Sequence, residues 1–225
     1  DVRLIAIDEA HCISMWGHNF RPEYRRLRAL KERFPDVPVI ALTATAIPAV
    51  QDDITKQLAL KNPARFVGSF NRKNLTYRVV SKTRYFPKLT KYLHDHEGDA
   101  GIIYCFSQKA TEDLAGKLQD KGFSALPYHA GLPDAIREEH QEAFSRGDVT
   151  IICATVAFGM GIDKPDVRFV IHTDLPKDLE SYYQETGRAG RDGDPADCIL
   201  FYSRGDYNTI RYLIEKECAD VVQKD

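Results

Sequence analysis

The sequence predicts an α/β protein with mostly parallel sheets, arranged as two lobes of which the first is incomplete. Short apolar runs alternate with longer amphipathic segments along most of the 225 residues. That alternation indicates βαβ units, in which helices cover both faces of a parallel sheet. The composition, 43% hydrophobic and 28% charged, is sufficient for one large core or two smaller ones.

Each lobe is predicted element by element from apolar runs and their boundaries. In the first lobe the predicted elements are strands Val2–Ile7 and Val37–Leu42 and helix Ile47–Leu60, with Pro48 in its first turn. A connecting segment covers roughly residues 62–74. The predicted strands of the second lobe are Leu75–Val80, Gly101–Cys105, Ser124–Tyr128, Val149–Cys153, Val167–His172 and Cys198–Tyr202. Its predicted helices are Phe86–His96, Gln108–Lys121, Pro133–Ser145, Leu179–Thr186 and one from about Asp206.

Other classes of protein are disfavoured by composition. No apolar stretch approaches the ~18 to 20 residues that a membrane span needs, so no membrane partner is expected. The chain begins directly at a predicted strand, with Asp1 just before Val2, which suggests that the chain is a fragment. The five cysteines are widely spaced, without a C-x-x-C pair, and predict reduced thiols instead of a zinc site.

The charges are unevenly distributed along the chain. A basic belt in residues 61–91 contains no acidic residue and nine basic ones, Lys61, Arg65, Arg72, Lys73, Arg78, Lys82, Arg84, Lys88 and Lys91. Residues 92–225, by contrast, hold 14 basic and 25 acidic residues. The belt is compatible with polyphosphate binding through counterion release, and equally with a solvated surface that keeps the protein soluble.

Two acids follow the first predicted strand directly. Asp8 and Glu9 are therefore expected at the carboxyl edge of a sheet, where ligands of α/β proteins gather. An acid there can hold Mg²⁺ directly or through water, and its neighbour can take a proton from attacking water. The alternative is that Asp8 caps the next segment and Glu9 is only solvated.

A loop with large aromatic and charged side chains comes next. Trp16, His18, Phe20 and Arg21 lie close together, and Gly17 permits an exposed turn. Trp16 and Phe20 alone would be read as core residues. Their polar neighbours favour a loop that meets a nucleic-acid strand.

Further polar segments occur at later strand and helix ends. Thr43-Ala44-Thr45 ends the second strand, and glycines 159 and 161 permit close backbone approach before Asp163. Arg188 and Arg191 lie near a helix end among glycines, where two guanidinium groups can reach phosphate oxygens. Taken singly, the arginines would be read as exposed ion pairs.

Together these segments resemble the motor core of RecQ-family DNA helicases, in superfamily 2. "DEAH" at 8–11 is similar to motif II, "TAT" at 43–45 to motif III and "IIYCFS" at 102–107 to motif IV. "YHAGL" at 128–132 is similar to the segment that precedes the next helix in the family. "ATVAFGMGIDKPDVRFVIH" at 154–172 is similar to motif V, and "YYQETGRAGRDG" at 182–193 to motif VI. The segment after "DEAH" resembles the aromatic-rich loop of that family.

The resemblance implies two RecA-like lobes and a role for each matching residue. Lobe 1 would end near residue 73, lobe 2 would cover 74–205, and 206–225 would begin the helix leading to a zinc-binding subdomain. ATP would bind in the interlobe cleft, and the intact protein would move 3′ to 5′ along DNA in repair and recombination. In the nucleotide site, Asp8 would hold Mg²⁺ through water, Glu9 would activate the attacking water, and His11 would relay between the ATP and DNA sites. Asp163 would contact the sugar region of the nucleotide. The other nucleotide-site residues would be Gly161, Gln184, Arg188 and Arg191. The DNA-site residues would be Trp16, His18, Phe20, Arg21 and Thr155, on single-stranded and partly duplex DNA.

The sequence departs from the family pattern in three respects. Met15 stands where the family more often has Gln or Glu, and Asn19 where it usually has Asp. No G-x-x-x-x-G-K-[ST] occurs. The chain is therefore expected to be the middle of a longer helicase and inactive alone, with Zn²⁺ bound only in a missing C-terminal region. The family implies a cytoplasmic, nucleoid-associated location in a prokaryote and a nuclear one in a eukaryote.

Two other functions stay open. One is a nucleic-acid binding module without ATPase activity. The other is an RNA-directed superfamily 2 helicase, although such enzymes usually have Ser-Ala-Thr in motif III.

Overall fold

The computed structural model describes residues 1–15, 20–44, 46–69, 71–159, 163–208 and 210–211. Residue contacts divide the chain into two compact units, Asp1–Phe70 and Asn71–Asp225. The predicted division at residues 73 and 205 stays a prediction. No helix within the described ranges is long and apolar enough to cross a membrane.

The first unit is built on a two-stranded parallel sheet. Strand β1 covers Ile5–Ile7 and pairs with β2, Val39–Ala41. Two 3₁₀ helices, Ala10–Ile13 and Pro22–Leu27, and helices α1 (Arg28–Arg33) and α2 (Pro48–Gln57) complete it. The core joins β1 and the first 3₁₀ helix to α2 and its end, through Ile7, Ala10, Ile13, Val50, Ile54 and Leu58.

The second unit is a six-stranded sheet in which every pairing is parallel. Its strands are β3 (Leu75–Ser81), β4 (Ala100–Tyr104), β5 (Ala125–Tyr128), β6 (Ile151–Ala154), β7 (Val167–His172) and β8 (Ala196–Tyr202), in the order β3-β8-β7-β4-β6-β5. Its helices are α3 (Tyr85–Asp95), α4 (Gln108–Gln119), α5 (Asp134–Arg146) and α6 (Leu179–Thr186). Residues 204–208 are helical as well.

Both faces of this sheet are covered. Alternate residues of a strand point to opposite faces, and in β4 Ile103 packs with α3 and α4 whereas Ile102 packs with Phe144 of α5. All five residues of β4 are buried. The fold prediction is confirmed: the chain is α/β with parallel sheets. The described cysteines, Cys12, Cys105, Cys153 and Cys198, are free and buried.

The predicted elements of the second unit lie within a few residues of the observed ones, and Val167–His172 and Leu179–Thr186 have the predicted bounds. The first unit differs more. Its two strands are three residues each, and α2 ends at Gln57 instead of Leu60. The 3₁₀ helices and α1 were not predicted, because elements of four to six residues are too short to show helical periodicity.

Gly101 marks the tightest backbone packing in the sheet. A Cβ atom at this position would lie 1.9 Å from the fully buried ring of Phe169. We expect Gly101→Ala to lower the free energy of unfolding by about 1–3 kcal/mol, the usual cost of overpacking. Gly116→Ala in α4 is the control, because its Cβ would meet no atom within 4 Å. It should raise stability by about 0.5–1 kcal/mol. Thermal unfolding checks both, and equal midpoints would contradict this account of Gly101.

Candidate functional site

The acidic pair lies at the carboxyl end of β1, as the sequence predicts. Asp8 and Glu9 are both exposed, and the Glu9 amide donates to Asp8 Oδ1 at 2.8 Å. Glu9 has φ 49° and ψ 40°, in the left-handed region that non-glycine residues seldom adopt. Such conformations cluster at functional sites, where surrounding contacts hold them in place.

His11 connects the acidic pair to the end of β2. Its buried ring has Nδ1 2.9 Å from Thr43 Oγ1 and 3.3 Å from Glu9 Oε2. The Ala10 amide donates to the Leu42 carbonyl at 2.9 Å, which holds the two strand ends together. Motifs II and III are therefore in direct contact through one imidazole. Thr45 lies outside the described residues.

The aromatic-rich loop is described only at its ends. Trp16, His18 and Asn19 lie outside the described residues, and Met15 is 65% exposed. Phe20 is half-buried beneath the guanidinium of Arg25, which lies 5.0 Å from the ring centroid.

The loop returns to the acidic segment through Arg21. The amide of this exposed residue donates to the Cys12 carbonyl at 2.8 Å. Burial raises the pKa of the Cys12 thiol, while nearby Arg21 lowers it in part. The far end of the loop is thus fixed one residue from His11.

In the second unit, Thr155 follows β6 at the carboxyl edge of the sheet. Its amide donates to the Tyr128 carbonyl at 3.1 Å, and its own carbonyl accepts from the Phe158 amide at 3.0 Å. The ring of Phe158 is buried and anchors this short turn in the core. Thr155 itself is half-buried, and its neighbour Val156 is 76% exposed. Gly161 lies outside the described residues.

The turn after α6, which we call the motif VI turn (residues 187–194), carries both candidate arginines. Arg188 packs on Gly159, where an added Cβ would lie 3.2 Å from its Nη2. Arg191 Nη1 lies 3.1 Å from Asp163 Oδ1. The structure therefore brings motif V and motif VI residues together, with half-buried Gln184 on the preceding helix.

A buried polar pair behind this turn was not predicted. His172 Nε2 lies 2.7 Å from Glu185 Oε2, and Tyr104 stacks on the His172 ring with centroids 5.1 Å apart. The Tyr104 hydroxyl donates to the Phe158 carbonyl at 2.9 Å. Burial raises the pKa of Tyr104, and the Arg188 guanidinium lowers it in part. In the sequence, the one sign of this network of His172, Glu185 and Tyr104 is that His172 ends an apolar strand.

The side chains of the site are suited to Mg²⁺ that is also held by water and phosphates, and to an anionic ligand such as a nucleotide. Within the described ranges no group of three or more His, Cys, Asp or Glu could hold a metal alone. Exposed Asp8 and Glu9 instead match the pattern in which Mg²⁺ is held by one or two carboxylates together with water and substrate phosphates. The buried Nε of Arg188 has no hydrogen-bond partner among the described residues, which suits a guanidinium that awaits an anionic ligand.

Comparison with known proteins agrees with these motifs. Residues 83–193 match the family model described as the helicase conserved C-terminal domain. The chain is 53% identical over 216 residues to the ATP-dependent DNA helicase RecQ of Haemophilus influenzae, covering 96% of the chain and 35% of that protein. For RecQ of Bacillus subtilis the identity is 46% over 225 residues, covering 100% of the chain and 38% of the relative. The RecQ-like DNA helicase BLM of Xenopus laevis is 52% identical over 215 residues, covering 94% and 16%.

Solved structures agree on the fold. A Saccharomyces cerevisiae Dbp5 structure with RNA and ADP BeF3 matches with a TM-score of 0.70 at 22% identity, over 96% of this chain and 57% of that one. A DEAD box protein from Methanococcus jannaschii matches with a TM-score of 0.61 at 27% identity, over 96% and 58%. The chain spans 35–38% of the length of the two bacterial RecQ relatives. Over nearly its whole length the chain therefore corresponds to a segment of RecQ helicases, and residues 83–193 match the helicase conserved C-terminal domain.

Proposed function

We propose that the protein of which this chain is a part is a DNA-stimulated ATPase that unwinds duplex DNA 3′ to 5′ in DNA repair and recombination. The observation that carries the proposal is the contact series Glu9–His11–Thr43. It joins an acid suited to activating water to a buried imidazole that adjoins Cys12, where the aromatic-rich loop is fixed. The similarity to RecQ proteins over nearly the whole chain supports the same function.

The nucleotide side of the mechanism assigns a task to each polar group. Asp8 would hold Mg²⁺, and the ion would supply charge neutralisation at the phosphates. Glu9 accepts the proton of the attacking water. His11 relays between the ATP site and the DNA site through its contact with Thr43. Arg188 and Arg191 contact phosphate oxygens in the manner of an arginine finger, with Gln184 beside them, and Asp163 contacts the sugar region.

The ATP-binding loop is a separate requirement. The chain contains no G-x-x-x-x-G-K-[ST] motif, so we propose that this loop belongs to a part of the protein outside the chain. The same holds for a zinc-binding region. We expect a nucleoid-associated cytoplasmic location in a prokaryote and a nuclear one in a eukaryote.

On the DNA side, Trp16, His18, Phe20 and Arg21 sense the strand, and Thr155 contacts a phosphate. Aromatic stacking on a base is worth about 1–3 kcal/mol and tolerates any sequence. The half-buried Phe20 is braced by Arg25, which leaves part of its ring accessible. Arg21 is exposed and suited to a phosphate contact.

Trp16→Ala in the full-length protein tests the coupling between DNA and ATP. We expect the stimulation of ATPase by single-stranded DNA to fall at least about tenfold, as loss of one stacked base implies, with basal ATPase little changed. The control is Phe66→Ala, which removes a 93% exposed aromatic side chain of the same unit outside the loop. If Trp16→Ala lowers basal and stimulated rates equally, Trp16 is a core residue.

The same assay separates the other two functions. A wild-type protein that binds nucleic acid but hydrolyses no ATP would be a binding module. Stimulation by single-stranded RNA and not by DNA would indicate an RNA-directed helicase.

A further inference from the structure

The backbone of the motif VI turn is held by a side chain from far upstream. Arg72 Nη1 donates to the Gly187 carbonyl at 2.9 Å, and its Nη2 donates to the Gly190 carbonyl. A guanidinium presents its donors in a rigid planar fork, so one side chain can fix the spacing of two acceptors. The two carbonyls lie on either side of Arg188, and their separation sets the curvature of the backbone that carries it.

Asn74 adds a second clamp on the same turn. Its Nδ2 donates to the carbonyls of Gly190 and Asp194, both at 2.8 Å. Its own backbone carbonyl accepts from the Ala196 amide at 2.9 Å, at the start of β8. The amide side chain thereby fixes the distal half of the turn, which includes Arg191.

Gly190 shows how closely these groups approach. Its φ is +55°, and an added Cβ would lie 2.6 Å from Asn74 Nδ2 and 2.7 Å from the Asp194 carbonyl oxygen. The Gly190 amide donates to the Val167 carbonyl at 2.8 Å. The glycine is needed for the clamp itself, since any side chain would push Asn74 away.

Several residues of the basic belt make contacts within the protein. Arg72 is half-buried and uses its guanidinium on backbone carbonyls, whereas its neighbour Lys73 is exposed. Arg78 and Lys82, also in the belt, contact Asp197 and the pair Asp174 and Asp206. The belt is thus partly a set of internal contacts, and Arg72 contacts the turn that carries the candidate arginines.

We propose that Arg72 and Asn74 are positioning residues for ATP hydrolysis, which hold the motif VI turn so that Arg188 and Arg191 face the nucleotide. The inference rests on the proposed function for the role of those arginines. It differs from a DNA-binding role for Arg72 in one essential respect. Positioning depends on the forked geometry of the guanidinium, whereas attraction of a phosphate chain depends on positive charge alone.

Kinetics of the full-length protein separate the two roles. We expect Arg72→Met and Arg72→Lys both to lower kcat at saturating DNA by about tenfold, as loss of a charge-assisted hydrogen bond implies. The DNA concentration for half-maximal stimulation should stay nearly constant. Lys73→Met is the matched control. It removes an exposed positive charge next to Arg72 and should leave kcat unchanged. Wild-type kcat in Arg72→Lys would overturn the proposal.

Backbone hydrogen exchange gives a readout that does not need catalysis. In the full-length protein, Arg72→Lys and Asn74→Asp should speed exchange of the amides of residues 188–193 by about tenfold or more, because each variant loses hydrogen bonds to the turn. Lys73→Met should not. Unchanged exchange in both variants would overturn this inference even if their ATPase rates fall. If wild-type protein shows no DNA-stimulated ATPase while exchange in the turn still depends on Arg72, the proposed function fails and the clamp stands. If Arg72→Met prevents folding, Arg72→Lys and Asn74→Asp are used for both the ATPase kinetics and the hydrogen exchange.

Discussion

Arg188→Lys in the full-length protein should lower kcat for ATP hydrolysis by about 10³-fold or more, the range found for arginine fingers. Lysine keeps the positive charge but loses the planar fork that matches phosphate oxygens. Arg188 lies against Gly159, and its Nε has no hydrogen-bond partner among the described residues, so the shorter side chain would displace little of the fold. Single-turnover and steady-state ATPase rates, with nucleotide affinity measured separately, check the expectation.

Arg146→Lys is the control for Arg188. Arg146 is exposed on α5, where it pairs with Glu142 and Asp148, and it lies outside the motif segments. Its substitution should leave kcat within about twofold, since exposed ion pairs contribute little. Arg188→Lys with more than a tenth of the wild-type rate would mean that Arg188 serves only to pack against Gly159.

Glu9→Gln should lower ATP turnover by about 10²–10⁴-fold, the range for loss of a general base. The amide is isosteric with the carboxylate, so the left-handed backbone and the nearby His11 ring have no steric reason to move. Nucleotide binding should therefore persist while hydrolysis stops. Binding of a fluorescent ATP analogue, compared with phosphate release, distinguishes the two steps.

Glu23→Gln is the matched substitution for Glu9. Glu23 is an exposed acid in the first turn of the second 3₁₀ helix, and we assign it no role in the site. Near-wild-type turnover in Glu9→Gln, equal to that of Glu23→Gln, would show that Glu9 is merely solvated. Loss of nucleotide binding in Glu9→Gln would instead assign it to the metal.

The fold was largely predictable because most strands of the second unit contain a compact apolar run. Strand Val167–His172 and helix Leu179–Thr186 matched their predicted bounds, and the helix is capped by Asp178, whose Oδ1 accepts a hydrogen bond from the Ser181 amide. The short helices around Pro22 were missed because their residues show no apolar periodicity. Local pattern predicts elements well only where burial imposes a period on the sequence.

The sequence was sufficient to name the residues of the candidate site but not the contacts between them. Motif residues could be named from the sequence, and their roles stay predictions. The contacts of Arg72 with Gly187 and Gly190 span 115 and 118 residues of sequence, and no local pattern reveals such a pair. The His172–Glu185 pair was hidden for the same reason, because a buried polar pair becomes visible only when the sheet and α6 are assembled.

The strand order of the second unit has a mechanical consequence. Its first strand, β3, lies beside its last, β8, in a parallel register that runs from Leu75 opposite Ala196 to Ser81 opposite Tyr202. Tension between the two ends of the unit would therefore load the whole ladder of hydrogen bonds in shear, so that they resist together instead of opening one by one. Lys82, bound to Asp174 and Asp206, reinforces the ladder where the chain leaves it.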